Sequence, residues 1–157
     1  MLYQSTFNFS LFKQYSFYLS DSPFYSSQSL SHDQRNRIEI AIEKALTKKK
    51  LTYTEPNKAD FFVTYHITKG SRKDYQAYNK VVKFCASCLQ ANTWHQQNNQ
   101  WHVYTHGLII DFVDPVKKRS VWRSISPLKF ETKDSSAQRN MKIMSAVNTM
   151  ISQYLTK

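Results

Sequence analysis

Cys85 and Cys88, three residues apart, are the first side chains in this sequence whose spacing suits chemistry. As thiolates they could chelate zinc from a single turn, with His95 and His102 downstream to complete a tetrahedral set. The spacing beyond the pair fits no familiar finger, and the intervening Gln and Asn residues do not build a packed ββα unit. A thioredoxin-type redox pair has to open a helix, and no helix pattern begins at Cys85. Two idle thiols in a reducing compartment, or a local disulfide in an oxidising one, are the plainer readings.

Three other constellations could carry function. A cysteine or serine nucleophile could be served by His66, His95, His102 or His106, given a third group to orient the base. His66, His102 and His106 fall on strand patterns, where structural histidines are commoner than catalytic ones. Asp111 and Asp114 offer a carboxylate pair for acid/base work or cation binding. A turn explains Asp114, whereas Asp111, together with Arg123, has no evident structural reason and is a candidate binding group. Finally, Lys69, Arg72, Lys73, Tyr75, Tyr78, Lys80 and Lys83, followed by Phe84, put cations and rings in one run. That combination holds single-stranded nucleic acid, although no RNP-like signature accompanies it. Only two glycines, Gly70 and Gly107, are present, which excludes a GxGxxG or Walker-type phosphate loop. No catalytic residue, cofactor or metal is assigned from these patterns.

The elements that must position these groups centre on the stretch 101–130, which reads as a β-hairpin. Its first arm alternates Trp101, Val103, Thr105, Gly107, Ile109 against His102, Tyr104, His106, Leu108, Ile110, Phe112. The second alternates Val121, Arg123, Ile125 against Trp122, Ser124, Ser126. Asp114-Pro115 makes the reversal, and Lys117, Lys118 and Arg119 keep the tip in water. Upstream, a strand is expected over Lys13 to Leu19 and a loop over Ser20 to Ser29. Ser31 opens a helix through a capping box with Gln34, and Ile38, Ala41, Ile42, Ala45 and Leu46 form its apolar stripe. Phe61 to Thr68 reads as a central strand parallel to the first. Residues 69–100 read as a polar, basic, poorly ordered loop, with a strand possible over Lys80 to Leu89. Asp134, Ser135 and Ser136 are N-cap candidates for a closing helix with Met144, Val147, Ile151 and Tyr154 inward, flanked by Met141 and Leu155.

The expected architecture is one α+β domain over 1–157. A small mixed or antiparallel sheet of four to five strands carries two helices on one face, in the order β-α-β-(β)-β-β-α. Twenty-two Lys and Arg against eleven Asp and Glu give a net charge of +11, which favours anionic partners without choosing among them. No run approaches the ~20 apolar residues of a membrane span, and MLYQSTFNFS has neither a basic n-region nor an apolar h-region.

The wording of four stretches resembles an uncharacterised bacterial envelope family catalogued as domain of unknown function 4136, many of whose members are predicted lipoproteins. They are FNFSLFKQYSF with Phe9, Tyr15 and Phe17; DQRNRIEIAIEKAL from Asp33; ADFFVTYHI from Ala59; and, most specific, GLIIDFVDPVKKRSVWRS from Gly107. The resemblance spans about Phe9 to Tyr154. It implies an α+β domain, exported and often tethered to the outer membrane through a lipidated N-terminal cysteine. The sequence departs from that pattern in having no lipobox cysteine before Leu2 and a Gly-poor loop bearing Cys85 and Cys88. The resulting expectation is a non-enzymatic module of the periplasm or outer membrane, binding an anionic envelope component or a protein partner. The alternative is a cytoplasmic nucleic-acid-binding protein, the location expected if the native chain starts at Met1.

Overall fold

A computed structural model describes residues 2–4, 7–17, 30–68, 72–85, 88, 90–91 and 106–154. Among these residues seven strands form one mixed sheet: β1 (Leu2–Tyr3), β2 (Gln14–Phe17), β3 (Thr52–Tyr53), β4 (Phe61–Thr68), β5 (Gln90–Ala91), β6 (Gly107–Asp114) and β7 (Arg119–Pro127). They lie in the order β3-β2-β4-β6-β7-β1-β5. β2 runs parallel to β3 and β4, and the pairs from β4 onward are antiparallel. The fold class is therefore the expected α+β, with four substantial strands and three two-residue ones; β3 and β5 are the edges.

Helices α1 (His32–Lys48) and α3 (Ser136–Ser152) cover one face. Both start at a serine whose side chain accepts from the backbone of a glutamine three residues on, while that glutamine returns the bond: Ser31 with Gln34 and Ser135 with Gln138. The two helices run parallel. At their starts Arg37 Nη1 donates to the Ser136 carbonyl (2.6 Å), and at their ends Lys49 Nζ donates to that of Ser152 (3.3 Å). Beneath them Ile38, Ile42 and Leu46 meet Phe61, Val63, Leu108, Ile110, Phe112 and Trp122 in the main core. The inward stripe of α3 is Ile143, Ala146, Val147, Met150 and Ile151, a rotation from the expected one: Met144 sits at the margin, Met141 is exposed, and Leu155 lies outside the described residues.

The stretch read as a loop contains a third helix, α2 (Arg72–Val81), on the opposite face. No strand exists over Lys80 to Cys85; the helix ends, turns, and delivers Cys85 to a disulfide with Cys88. Tyr75, Tyr78 and Val82 pack there against Phe62, Ile109 and Val113. Cover on both faces explains why every residue of β4 and β6 is buried. A bulge between Phe112 and Val113 pairs Phe112 with Trp122 and Val113 with Ser120. Val121 consequently joins Trp122 in the main core rather than sharing the face of Arg123 as simple alternation requires. The expected hairpin residues Trp101 to Thr105 lie outside the described residues, as do Tyr18 and Leu19 of the first strand.

Candidate functional site

The face of the sheet beneath α2 is polar at its centre. Thr64 and His66 of β4, Asp111 of β6, and Ser120 and Arg123 of β7 alternate with residues of the main core and so point to the other side. Asp111 and Arg123 are cross-strand partners, and both side chains are 0% exposed. Arg123 grips the carboxylate with two bonds, Nε to Oδ1 at 2.8 Å and Nη2 to Oδ2 at 3.1 Å. Ser120 Oγ donates to Oδ1 (2.6 Å) and Tyr78 Oη to Oδ2 (2.7 Å). Four donors thus occupy the four lone-pair sites of the carboxylate.

The remaining guanidinium nitrogen of Arg123, Nη1, donates to Asn79 Oδ1 (2.6 Å) and to Tyr75 Oη (3.4 Å). Phe84 lies over the guanidinium, 3.7 Å from ring centroid to Cζ, directly before the Cys85–Cys88 disulfide. Burial alone lowers the pKa of Arg123, but the charge and hydrogen bonds of Asp111 more than reverse this and hold it above its ordinary value. Burial, and then the Asp111 charge, push the Tyr78 hydroxyl well above the usual phenol range, so it stays protonated and donates. Thr64 Oγ1 is a further partner of that hydroxyl, at 2.8 Å.

His66 extends the network. Its ring stacks on Tyr78, and Nε2 lies 2.7 Å from Asp74 Oδ2 at the start of α2. Burial, with the Arg123 charge beside it, lowers the His66 pKa despite the opposing pull of Asp74 and Asp111, so the neutral ring donates from Nε2. Its Nδ1 is buried and unpartnered. A base oriented by a carboxylate is half of a nucleophilic triad, yet the ring is only 3% exposed and Cys85, the nearest thiol in sequence, is tied in the disulfide.

The remaining expected residues are distributed elsewhere. Asp114 is separated from Asp111 and accepts from the Val116 and Lys117 backbone at the hairpin turn (2.9 and 3.4 Å). Of the cation–aromatic run, Lys73, Lys80 and Lys83 are exposed, while Tyr75 and Tyr78 point inward. The stacking surface expected from that run is therefore absent on its outer side, because the rings serve the helix–sheet contact. Lys69 and the Arg72 side chain lie outside the described residues, as do His95 and His102; His106 is exposed beside β6. A disulfide removes the thiolates that zinc coordination by Cys85 and Cys88 needs. Sequence reasoning missed Asp74, Asn79, Ser120 and Thr64. The signal for the helical pair was Tyr75, Tyr78, Asn79 and Val82 at i, i+3, i+4 and i+7.

With this fold and this network in place, comparison with known proteins is specific. The family model for DUF4136, a domain of unknown function, matches residues 2–154. The chain belongs to the DUF4136 family. A crystal structure of a DUF4136 family protein from Bacteroides thetaiotaomicron superposes with a TM-score of 0.59 at 13% identity, covering 96% of this chain and 91% of that one. A PDZ domain protein from Parabacteroides distasonis superposes with a TM-score of 0.52 at 17% identity, over 100% of this chain but 35% of that one. At these identities both likenesses concern fold. No curated protein matches the chain.

Proposed function

We propose that this DUF4136 chain is a non-enzymatic binding or structural module of the bacterial cell envelope. One observation carries the non-enzymatic part: the Asp111–Arg123 pair, the only fully buried ion pair among the described residues, has every polar atom engaged by protein groups. Acid/base catalysis needs a group that meets substrate, and this pair is closed off by α2. Its role is to fasten that helix to the sheet through one charged centre. The envelope setting follows from the family resemblance, whose members look like exported proteins, and the disulfide suits an oxidising compartment. The nucleic-acid alternative keeps its cations but loses Tyr75 and Tyr78 as stacking groups.

Two measurements test the proposal. Expressed from its own gene with a C-terminal tag, the chain is expected in the envelope fraction; recovery in the cytosol would overturn the compartment. Purified chain is expected to leave peptidoglycan fragments and ester substrates unchanged, so turnover abolished by His66→Gln in a folded variant would overturn the non-enzymatic part. Retention of RNA or single-stranded DNA near 0.15 M salt would favour the alternative.

A further inference from the structure

Among the described residues three non-glycine positions have backbone in the left-handed region, and all three are lysines: Lys50 (φ 63°), Lys83 (φ 49°) and Lys118 (φ 54°). A Cβ is crowded in that region, so glycine is its usual occupant. Lys50 and Lys83 stand just past the ends of α1 and α2, where glycine is the commonest residue, and Lys118 sits in the hairpin turn. At each place the sequence accepts strain and installs a long cation.

Topology brings these lysines to one end of the molecule. Gln14 of β2 pairs with Thr52 and Tyr15 with Phe61, so β2, β3 and β4 all begin there. Phe62 pairs with Val113, which sets the β6–β7 turn at the same end. Helix α1 finishes there because Leu51 leads directly into β3, and Ser120 N donates to the Val82 carbonyl, tying the end of α2 to the hairpin. The strained lysines are joined by exposed Lys48, Lys80, Lys117 and Arg119. Carboxylates at this end are engaged: Glu55 pairs with Lys58, Asp60 accepts from the backbone of Lys13 and Gln14, and Asp114 caps the turn.

Apolar groups protrude at the same end. Of the five most exposed large hydrophobic side chains among the described residues, the most exposed is here, Val116 at the hairpin tip (87% exposed), together with Leu11 just before β2 (66%). Cations spread over an end face, with aliphatic groups projecting among them, fit a planar anionic layer with an apolar interior. A nucleic-acid strand would instead require a groove of stacking rings, and Tyr75, Tyr78 and Phe84 are turned inward against Arg123.

We infer that this end docks on an anionic lipid surface, with the lysines and Arg119 meeting headgroup phosphates and Val116 entering the headgroup layer. The inference rests on the envelope reading for its setting and names the partner within it. Flotation with vesicles of equal parts phosphatidylcholine and phosphatidylglycerol tests it, with phosphatidylcholine vesicles as control. The chain is expected to float with the anionic vesicles near 0.15 M salt and to be released near 1 M. Replacing all three left-handed lysines (K50G, K83G and K118G) is expected to weaken partitioning roughly a hundredfold, about fivefold per cation. The same variant should melt close to the native chain, because glycine relieves the left-handed backbone and so offsets loss of the exposed Lys118 ammonium 5.3 Å from the Phe62 ring centroid. Val116→Asp is expected to weaken binding at unchanged melting temperature. Equal binding by the triple variant, equal binding to neutral vesicles, displacement by millimolar inorganic phosphate, or binding of single-stranded DNA in place of vesicles would each overturn the inference. Vesicle failure by a chain that fractionates with the envelope sinks this inference alone; vesicle binding by a cytosolic chain sinks the envelope reading instead.

Discussion

Removing one member of the Asp111–Arg123 pair strands the other in a site closed to solvent. Asp111→Asn keeps the shape but offers one accepting oxygen in place of two, so it can accept from only one of the Ser120 and Tyr78 hydroxyls, and it withdraws the countercharge from a guanidinium that is 0% exposed. Breaking one side of a buried pair costs about 3–5 kcal/mol. At about 2–4 °C per kcal/mol for a chain of this length, melting should fall by roughly 6–20 °C. Arg123→Met leaves a buried carboxylate that can take up a proton, and it also strips Asn79 of its 2.6 Å donor, so a loss of similar size is expected. The double variant carries no charge. No charge is left unpaired, and the amide oxygen can still accept from one of the two hydroxyls, so this variant should be less damaged than the two losses added together, by a coupling of about 2–3 kcal/mol. Urea unfolding of the four proteins, followed by circular dichroism, measures the cycle. Additive single losses, or single losses below about 1 kcal/mol, would refute the closed, fully paired site.

Other expectations follow from the same contacts. His66 has a folded pKa below its unfolded value near 6.5, so the unfolded chain binds its proton more readily and stability is lost as pH falls below that value; the urea midpoint should decline there, and His66→Gln should flatten the slope. Because Asp74 raises the His66 pKa, Asp74→Asn should steepen the decline. The Cys85–Cys88 bridge closes a very short loop, so reduction should cost at most about 2 kcal/mol, read as a modest melting shift on adding a thiol. Ser31→Ala and Ser135→Ala each remove a capping bond and should cost about 1 kcal/mol, additively across the two helices.

Helices α1 and α3 were legible because a serine box marks the start of the first, N-cap candidates including Ser135 mark that of the second, and apolar stripes mark their inner faces, and the hairpin because β-branched and aromatic residues alternate around Asp114-Pro115. Helix α2 escaped the same reasoning for a physical reason. Its inner residues are Tyr75, Tyr78, Asn79 and Val82, and the strip it covers sets Thr64, His66, Asp111 and Arg123 among Phe62, Ile109 and Val113, so polar groups interrupt the apolar pattern on both partners. Periodicity detects hydrophobic contact and passes over a polar one. The site was half legible: Asp111 and Arg123 stood out as having no structural reason, and the reason was the unseen helix. Val121 was placed on the wrong face because a bulge inserts one residue that alternation cannot register. Two-residue strands such as β1 and β5 are too short to leave a pattern.

The sheet also ends in an informative way. β4 and β6 are long, apolar and rich in β-branched and aromatic residues, the composition that recruits further strands from other molecules when a ladder lies open. Both are interior, and among the described residues the outermost positions fall to β3 and β5, each two residues long. A chain whose residues are 15% aromatic thereby presents, among the described residues, edge strands too short to template a growing ladder. Brevity at these margins works against the recruitment of strands from another molecule by so sticky an interior.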